Sequence, residues 1–449
     1  MNSTKLKNYL DQNLPPSMYR FLKQIHFYSI KKVTQSTRSW YLRRKIARIE
    51  EGYEKILEQK RAKAKLKVLF LLLISDSWKY DSLYKKFEED EKYEAIVVIC
   101  PFVTQGEDFL LKDLKKSEAF CLEKKYNYLL GYDVNEKKVV DIKKLIDPDI
   151  VFFSNPNNLT ADEFLIDNFF DTLTCYVPYT FQVDALYEYR FNSMFTNKCW
   201  RVFYETELHK KYSENYSLNR GKNVIVTGHP FLNVFNNNSG IDPWKKTDSI
   251  KRKRIIWGPH WTVKGGQFTG LNFSCFLEYA DYFLELAEKY NNEVQFALKP
   301  HPFLKMVLRK PEIWGEEKTA KYFKRWDEMP NTQLLEGEFV QLFKYSDALV
   351  HDSSAFLAEY HLLDKPSAYT VFDNQVFDNL NDFGINSIKV HIQIKSKYDL
   401  NNFIVDIING VDKKKQERKY FVEKFYFRKQ HTASENIKEY ISKQLLERN

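Results

Sequence analysis

The feature that most constrains the fold is an alternation of apolar and helical segments, which starts at Leu66 and runs through the chain twice. The first series contains the apolar segments LKVLFLLLI, EAIVVICPF, DIVFFS and KNVIVTGHP, and the second contains RIIWGP, EVQFALKP, TQLLEG, DALVHD and SAYTVF. Continuous apolar strands separated by helices are typical of parallel sheets that are covered on both faces. The sequence therefore predicts an α/β fold with two Rossmann-like domains.

The composition between the two series indicates where the domains end. Residues 233–254 are polar and rich in Asn, Ser and Lys, which is the composition of a linker. We therefore expect an N-terminal domain over residues 66–245 and a C-terminal domain over residues 250–410. Residues 1–65 show helical patterns without a strand and predict a basic helical extension. Residues 411–449 predict further helices that cross back to the first domain.

Positive charge is concentrated near the N-terminus. The whole chain has a formal net charge of +9, whereas the segment Tyr19–Lys67 alone holds fifteen basic residues and four glutamates, a net charge of +11. Its helical stretches, MYRFLKQIHFYSIKKV and SWYLRRKIARIEEGYEKILEQKRAKAK, mix aromatic with basic side chains. Such helices either lie on an anionic membrane surface or pack on the protein with their charges solvated. Nucleic acid is not an expected partner, because no recognised binding signature is present and the charge lies outside both α/β series.

The cysteines and the apolar segments bear on the cellular location. No segment approaches the roughly 20 apolar residues of a membrane-spanning helix, and the first residues lack the apolar region of a signal peptide. The five cysteines have no C-x-x-C spacing, which indicates free thiols in a reducing compartment. We therefore expect a cytoplasmic protein that is peripheral at the inner face of the plasma membrane.

Neither a cofactor nor a metal is expected. The motif G-x-G-x-x-G is absent, which argues against an ordinary dinucleotide site. The sequence DPD at Asp147–Asp149 has the spelling of a metal-binding D-x-D motif, but it precedes a predicted strand and is more typical of a turn.

Polar residues follow three predicted strands of the second series. His260 follows one strand in WGPHWT, Lys299 and His301 follow another in LKPHPF, and Ser353 and Ser354 follow a third in VHDSS. Because the carboxyl ends of parallel strands meet at one edge of a sheet, these groups are expected to lie together on one rim. A cation, imidazoles, hydroxyls and a helix N-terminus suit a pyrophosphate. A single histidine at a strand end is more often a structural hydrogen-bonding residue, and it is the coincidence of three polar clusters on one rim that favours phosphate binding.

The serine pair permits two interpretations. A helical pattern begins directly after Ser353 and Ser354, so either hydroxyl suits the N-cap of that helix. The same place can hold a phosphate. We expect that one hydroxyl caps the helix and that the pair also receives phosphate oxygens. Glu359 lies further along this helix and either binds ribose hydroxyls or is a solvated helix residue.

The segments IIWGPHWT, ALKPHP, LFKYSDALVHDSSAFLAEYHLLDKP and YTVFD resemble the carboxyl-terminal half of the CDP-glycerol glycerophosphotransferases, the primases and polymerases of teichoic acid and related capsules. The resemblance covers roughly Val224–Asp373 and implies the GT-B fold. It implies transfer of a polyol phosphate from a CDP-polyol to a lipid-linked or growing glycan acceptor, with release of CMP. It also implies that His301 and the group Asp352, Ser353 and Ser354 bind the donor's phosphates.

The first half departs from the family's pattern. The family's N-terminal domain typically carries a histidine–glycine motif whose histidine is the base, whereas the corresponding segment Cys175–Gln182 contains no histidine. Asp76, after the first strand, is one candidate base, although it also suits a loop or N-cap role. His260 is the other, because an imidazole near neutral pKa suits proton abstraction. Tyr179 or Gln182 is expected to position the acceptor.

The resemblance also bears on charge neutralisation and on the choice of donor. GT-B enzymes commonly use basic residues and helix termini in place of a metal, and Lys299 and His301 supply such charge here, with His301 counted among the catalytic residues. The missing histidine motif keeps a second function open, a sugar-nucleotide-dependent glycosyltransferase of capsule or lipopolysaccharide synthesis.

Overall fold

The computed structural model describes residues 35–236, 240–246, 248–263, 273–337, 339–371, 376–426 and 432–446. The predicted helix MYRFLKQIHFYSIKKV lies outside the described residues. The chain divides into two compact units. The first comprises Met1–Tyr179, Leu186–Asn233 and Phe427–Asn449, and the second comprises Thr180–Ala185 and Val234–Tyr426.

Strands and helices alternate along both units. The strands are β1 (Leu66–Leu72), β2 (Tyr93–Ile99), β3 (Tyr128–Leu130), β4 (Tyr132–Asp133), β5 (Lys138–Val139), β6 (Ile150–Phe153), β7 (Leu173–Tyr176), β8 (Arg201–Tyr204), β9 (Val224–Val226), β10 (Lys253–Gly258), β11 (Val294–Leu298), β12 (Thr332–Leu334), β13 (Ala348–His351), β14 (Ser367–Thr370) and β15 (Ile392–Ile394).

The α-helices are distributed between these strands and at both ends of the described chain. They are α1 (Gln35–Arg61), α2 (Asp81–Glu88), α3 (Glu107–Lys124), α4 (Ile142–Ile146), α5 (Tyr187–Phe191), α6 (Met194–Lys198), α7 (Glu207–Tyr216), α8 (Phe276–Lys289), α9 (Leu304–Leu308), α10 (Gly315–Glu328), α11 (Val340–Lys344), α12 (Phe356–Glu359), α13 (Asp382–Ile388), α14 (Lys397–Ile408), α15 (Lys415–Phe425) and α16 (Ala433–Leu446). Short 3₁₀ helices follow several strands, among them Ser75–Ser77 and Val103–Gln105.

Each unit is built on a parallel sheet. The first sheet has the order β3-β2-β1-β6-β7-β8-β9, and the second has the order β12-β11-β10-β13-β14-β15. Alternate residues of β1 enter two different cores, with Val68 and Phe70 on one face and Leu69 and Leu71 on the other. A strand buried on both faces has to be apolar throughout, which explains the continuous apolar segments. The predicted pair of Rossmann-like domains is therefore confirmed.

Both ends of the described chain pack into the first unit. On α1, Tyr53 and Leu57 are buried in the core, and the Tyr53 hydroxyl donates a hydrogen bond to the carbonyl of Lys198 at 2.8 Å. On α16, Ile437 and Ile441 belong to the same core. The expected return to the first domain is confirmed for α16, whereas α15 belongs to the second unit, and α1 contributes to the core of the first.

Asp149, the last residue of the DPD turn, binds both α1 and the first strand of the sheet. Asp149 is fully buried, and its Oδ1 lies 2.8 Å from Lys60 Nζ and 2.6 Å from Lys63 Nζ. Its Oδ2 accepts the backbone N–H of Lys67, at the start of β1, at 2.9 Å. This carboxylate therefore holds the end of α1 and the edge of β1 together.

Replacing Asp149 with asparagine should lower the free energy of unfolding by about 3 kcal/mol, because it leaves two lysine ammonium groups without their shared anion. Urea denaturation measures this loss. Asp147→Asn is the matched control, because the Asp147 side chain is 83% exposed and lies 3.7 Å from Lys63. An exposed pair of this kind contributes roughly 1 kcal/mol or less. Equal stability of the two variants would contradict the role given to Asp149.

Two further expectations can be compared with the structure. All five cysteines are buried and free, as their spacing indicated. Among the helices that the structure describes, none is both long and apolar enough to cross a membrane.

Candidate functional site

Three polar loops of the second unit follow the adjacent strands β11, β10 and β13. They carry Lys299 and His301, His260, and Ser353 and Ser354, in that order. β10 lies between β11 and β13, and Trp257 pairs with Leu298 on one side and with Val350 on the other. The residues that follow these positions therefore begin the three loops side by side at the carboxyl edge of the sheet. Parallel open sheets bind their ligands at this edge.

Backbone hydrogen bonds join the first two loops. The N–H of Lys299 donates to the carbonyl of Trp257 at 2.8 Å, and the N–H of His301 donates to the carbonyl of Pro259 at 3.0 Å. The rings of His260 and His301 meet edge to face, with their centroids 5.0 Å apart. The structure thus brings together the two histidines that the sequence placed on one rim.

The contacts of His260 indicate which of its ring nitrogens carries the proton in the neutral imidazole. The hydroxyl of Thr262 lies 2.9 Å from His260 Nδ1, and the N–H of Thr262 also donates to Nδ1, at 3.4 Å. The N–H of Phe273 donates to the Thr262 hydroxyl oxygen at 3.3 Å, and the backbone N–H of Thr262 can only donate to the imidazole. Nδ1 is therefore an acceptor and Nε2 carries the proton. Burial lowers the pKa of His260 to about 3.

His301 has the same arrangement. The N–H of Phe303 donates to His301 Nδ1 at 3.1 Å, which leaves Nε2 as the protonated nitrogen of the neutral ring. Burial, followed by the nearby His260 and Lys299, lowers the pKa of His301 well below its ordinary value. Both imidazoles therefore present an Nε2–H. Such a group suits donation to a phosphate oxygen better than proton abstraction.

Asp352 connects the third loop to its neighbours and is fully buried. Its Oδ1 accepts the N–H of His260 at 2.5 Å, and its Oδ2 accepts the N–H of Cys275 at 2.7 Å and the hydroxyl of Thr370 at 3.2 Å. Burial raises the pKa of Asp352 to about 7, and these three hydrogen bonds oppose the rise. Because both carboxylate oxygens have partners inside the protein, the contacts favour a positioning role for Asp352 over direct contact with a donor phosphate.

The serine pair does not cap a helix. The N-cap of α12 is Ala355, which already has helical dihedral angles and makes no side-chain capping bond. The expectation that one serine caps the helix is therefore wrong, because the helix begins later than the sequence suggested. Ser353 is buried and Ser354 is half-buried. Within the described residues neither hydroxyl makes a hydrogen bond, so the binding of phosphate by the pair stays a prediction.

Lys299 and Glu359 lie below the surface of this edge. Lys299 is 5% exposed, and Glu359, on α12, is 1% exposed. Glu359 is therefore not a solvated helix residue, which removes the alternative that the sequence had left open. Its contact with ribose stays a prediction.

A group of buried histidines supports the serine loop, and the sequence analysis did not identify it. His351 Nδ1 lies 3.0 Å from the carbonyl of Ser353, and its Nε2 lies 3.0 Å from His391 Nε2. His391 Nδ1 lies 3.0 Å from the carbonyl of Ser387. His351 ends β13, so a histidine at a strand end was the available signal, but His391 lies 40 residues further along the chain.

The candidates of the first half each have contacts of their own in the structure. Asp76 lies in the 3₁₀ helix after β1, where its Oδ2 is 2.5 Å from Lys116 Nζ. Tyr179 is half-buried at the end of a first-unit segment, whereas Gln182 belongs to the second unit. The Gln182 Nε2 donates to the carbonyl of Thr180 at 2.7 Å, so this amide takes part in a local turn. The acceptor roles of Tyr179 and Gln182 stay predictions.

His229 is a second residue that the sequence analysis missed. It is fully buried, its Nε2 lies 2.6 Å from the carbonyl of Pro178, and its Nδ1 accepts the N–H of Phe231 at 3.2 Å. Burial lowers the pKa of His229 to about 3. The histidine thus supports the residue before Tyr179. The His-Pro pair at positions 229–230, like that at positions 301–302, was the signal that could have identified it.

Within the part of the chain that the structure describes, no group of three or more His, Cys, Asp or Glu residues is arranged to hold a metal ion. The second-unit edge instead offers Lys299 and the Nε2–H groups of His260 and His301. These are groups that can neutralise or donate to a phosphate.

A comparison with family models gives one match. The model described as CDP-Glycerol:Poly(glycerophosphate) glycerophosphotransferase matches residues 202–443, which is more than half of this 449-residue chain. The match includes the three loops of the second-unit edge. No curated protein matches the chain in sequence.

Several solved structures share the fold at low sequence identity. The putative UDP-N-acetylglucosamine 2-epimerase from Listeria monocytogenes is 14% identical with a TM-score of 0.56, and the alignment covers 86% of this chain and 98% of that one. The S. aureus MnaA-UDP co-structure is 15% identical with a TM-score of 0.53, covering 85% and 97%. The Methanocaldococcus jannaschii UDP-GlcNAc 2-epimerase in complex with UDP-GlcNAc and UDP is 14% identical with a TM-score of 0.53, covering 84% and 99%. The fold is therefore of the GT-B type.

Proposed function

The chain belongs to the CDP-glycerol:poly(glycerophosphate) glycerophosphotransferase family, and on this premise we propose which group it transfers and to what. It is a transferase that uses a nucleotide-activated donor. The proposed reaction moves glycerol phosphate or ribitol phosphate from a CDP-polyol to a cell-surface glycan or lipid-linked acceptor. The proposed setting is the synthesis of teichoic acid or a capsule.

One observation carries the assignment of the donor site, namely the three loops that leave β10, β11 and β13 at one level of the sheet. We infer that the diphosphate of the donor lies against these loops. Lys299 supplies a positive charge, and His260 and His301 supply Nε2–H donors. The hydroxyls of Ser353 and Ser354 complete the proposed set, because they have no hydrogen-bond partner among the described residues.

These groups fit the charge changes of the reaction. An acceptor oxygen forms a bond to the β-phosphorus of the donor, the bond from that phosphorus to the bridging oxygen breaks, and CMP leaves with the electron pair. Negative charge grows on the leaving phosphate as that bond breaks. Donors fixed at this position stabilise the transition state more than the ground state. Asp352 contributes indirectly, by holding the loop of His260 and the segment of Cys275 in place.

The donor is tested by measuring nucleotide release. We expect CMP to be released from CDP-glycerol or CDP-ribitol in the presence of a polyol-phosphate-primed acceptor. UDP-N-acetylglucosamine and UDP-glucose are the comparison donors. Release of UDP from either sugar nucleotide, with no CMP from the CDP-polyols, would overturn the proposed donor.

The second candidate function is a sugar-nucleotide-dependent glycosyltransferase of capsule or lipopolysaccharide synthesis. The observation that favours it is the lack of a histidine in Cys175–Gln182, where the family carries its base. His229 does not replace that histidine, because both of its ring nitrogens are engaged inside the unit. The comparison donors above distinguish the two functions.

We also propose that exposed basic side chains of α1 contact an anionic membrane at the cytoplasmic side. Arg43, Lys45 and Arg48 are exposed on this helix, and Tyr41 on the same helix is 64% exposed. Each basic residue near an anionic surface contributes about 1 kcal/mol. Replacing the three residues with glutamine should therefore weaken binding to phosphatidylglycerol vesicles by roughly 100-fold at low salt.

Vesicle sedimentation measures this binding. The matched control replaces three exposed lysines of α10, Lys318, Lys321 and Lys324, with glutamine, which removes the same charge from the second unit. An equal loss of binding in both triple variants would mean that vesicle binding depends only on the net charge of the protein. That result would refute a specific role for α1.

A further inference from the structure

Two buried histidines of the second unit link the serine loop to the end of α13. His351 ends β13 and His391 directly precedes β15, and neither side chain is more than 1% exposed. Their Nε2 atoms lie 3.0 Å apart, which is a hydrogen-bond distance. The Nδ1 of His351 lies 3.0 Å from the carbonyl oxygen of Ser353, and that of His391 lies 3.0 Å from the carbonyl oxygen of Ser387. The two rings therefore make three polar contacts in a row.

Three contacts of this kind need three protons. A carbonyl oxygen can only accept a hydrogen bond, so Nδ1 of both His351 and His391 must carry a hydrogen. A neutral imidazole has only one such hydrogen, which leaves both Nε2 atoms as acceptors that face each other. Their contact becomes a hydrogen bond only when one further proton lies between the rings. The geometry is therefore that of one imidazolium joined to one imidazole, with a single positive charge.

A third buried histidine nearby needs no extra proton. The Ser387 hydroxyl donates its hydrogen to the carbonyl of Leu357, so it can only accept from His361 Nε2, which lies 3.0 Å away. The Nδ1 of His361 has no hydrogen-bond partner among the described residues, so one hydrogen on this ring satisfies its contacts. The rings of His361 and His391 have their centroids 4.4 Å apart. The extra proton thus belongs to the His351–His391 pair and not to its neighbour.

The surroundings of the pair disfavour its positive charge. Burial lowers the pKa of His391 to about 4, and burial together with the nearby His391 lowers the pKa of His351 well below its ordinary value. Without further negative charge the pair therefore loses its third proton readily. The buried ionisable groups of the elements around it are Asp352, Glu359, Tyr360, His361, Tyr369 and Arg418, the last of which is paired with Asp364 and Asp412.

We propose that His351 and His391 are positioning residues of the donor site, which take up one shared proton from solvent when a nucleotide donor binds. This inference rests on the proposed contact between the serine loop and the diphosphate of the donor. The shared proton joins His351 to His391, and the Nδ1–H of His351 holds the carbonyl of Ser353. It also places a positive charge two residues before Ser353, whose hydroxyl belongs to the proposed donor site.

Proton uptake and donor binding support each other. A bound diphosphate stabilises the positive charge of the pair and so raises its pKa, and the added proton in turn raises the affinity for the diphosphate. A rise of one pKa unit corresponds to a tenfold gain in affinity. We therefore expect tighter binding as the pH falls from about 7 to about 4, with uptake of up to one proton per donor bound.

Calorimetric titration with CDP-glycerol, in buffers of different ionisation enthalpy, measures affinity and proton uptake together. His351→Asn is the first test variant, because the asparagine amide takes the place of Nδ1 and keeps a donor for the Ser353 carbonyl but has no group in the place of Nε2. Its gain in affinity on acidification should be roughly tenfold smaller than that of the wild type. His391→Gln should behave likewise, because the amide N–H that replaces Nε2 needs no extra proton.

His361→Gln is the matched control. Glutamine keeps a donor in the place of Nε2 for the Ser387 hydroxyl, and the change removes a buried imidazole beside the same pair. This variant should keep the pH dependence of the wild type. Asp352, which titrates near pH 7, is present in every variant and contributes equally to all of them. A gain in affinity and a proton uptake in His351→Asn equal to those of the wild type would overturn the proposal.

Nitrogen-15 NMR of the histidine rings counts the protons directly in the wild type without nucleotide. At neutral pH both rings of the pair should carry their hydrogen on Nδ1, whereas His260 and His301 should carry it on Nε2. On acidification the pair should gain one proton as a unit. A neutral His351 or His391 with its hydrogen on Nε2 would overturn the proposal, because the Nε2–Nε2 contact would then need no third proton.

The NMR measurement also keeps this inference separate from the proposed donor, because it requires neither a substrate nor a variant. If UDP-glucose binds and CDP-glycerol does not, the proposed donor fails. The same calorimetric comparison with UDP-glucose then decides the role of the pair. Equal pH dependence in the wild type and His351→Asn would again overturn it.

Discussion

Replacing Ser353 and Ser354 together with alanine should reduce turnover by about 10²–10³-fold while the melting temperature stays close to that of the wild type. A fixed donor at a developing charge is worth about 2.7–4 kcal/mol of transition-state stabilisation. Stability should change little, because the N-cap of α12 is Ala355 and neither serine supplies its capping bond. His301→Ala should have a similar effect on turnover, because it removes the Nε2–H that we propose donates to the donor phosphate.

Two measurements on the same protein samples test this expectation. Turnover is compared with the melting temperature, and the melting temperature is recorded with and without CDP. Variants that lose phosphate contacts should lose the stabilisation that CDP confers. Ser396→Ala is the matched control in the same unit, because the Ser396 hydroxyl caps α14 by accepting the N–H of Asp399 at 3.2 Å.

The control should show the opposite pattern. Loss of an N-cap costs roughly 1 kcal/mol of stability, with activity per folded molecule unchanged. If the double serine variant behaves like Ser396→Ala, with a lower melting temperature and full activity, the serines have only a structural role. The proposed donor site would then lose its hydroxyl groups.

Asp352→Asn should change how stability depends on pH. Burial raises the pKa of Asp352 to about 7 in the folded chain, whereas an unfolded aspartate ionises near pH 3.9. The folded state therefore binds an extra proton between these values, and the wild type loses stability as the pH rises from about 4 to about 7. For this residue alone the loss amounts to about 4 kcal/mol. Asparagine has no such titration.

The free energy of unfolding of the asparagine variant, relative to that of the wild type, should therefore increase as the pH rises. Near pH 4 it should be less stable by roughly 1–3 kcal/mol, because the amide nitrogen replaces an oxygen that accepted the N–H of His260 or of Cys275. Towards pH 7 the difference should change sign, and the variant should be more stable by roughly 1–3 kcal/mol, because the wild type loses about 4 kcal/mol over the same range. Urea denaturation at a series of pH values measures it. A constant difference across this range would contradict the raised pKa of Asp352.

The sequence was most informative where a pattern is repeated along one segment. Continuous apolar strands between helices predicted two parallel sheets, because a strand that is buried on both faces needs apolar residues at every position. The polar residues after the strands at Trp257, Leu298 and Val350 predicted a common edge, and the pairing of these three residues confirms it. That edge follows from the topology, since parallel strands all end on the same side.

The sequence was least informative about the partners of individual polar atoms. Asp352 meets His260 and Cys275, which lie 92 and 77 residues away along the chain, and these contacts turn it from a phosphate ligand into a positioning candidate. Gln182 follows a first-unit strand in sequence but belongs to the second unit, where its amide holds a turn.

The sequence by itself therefore determined the two-domain α/β fold, the loops at the carboxyl edge of the second sheet and the resemblance to the transferase family. The tertiary structure alone decided that the serines make no capping bond to the helix and that both site histidines present an Nε2–H. The physical reason is how far apart along the chain the interacting residues lie. Periodicity is set by neighbours within a few residues, whereas the protonation and hydrogen bonding of a buried group depend on atoms that only folding brings near.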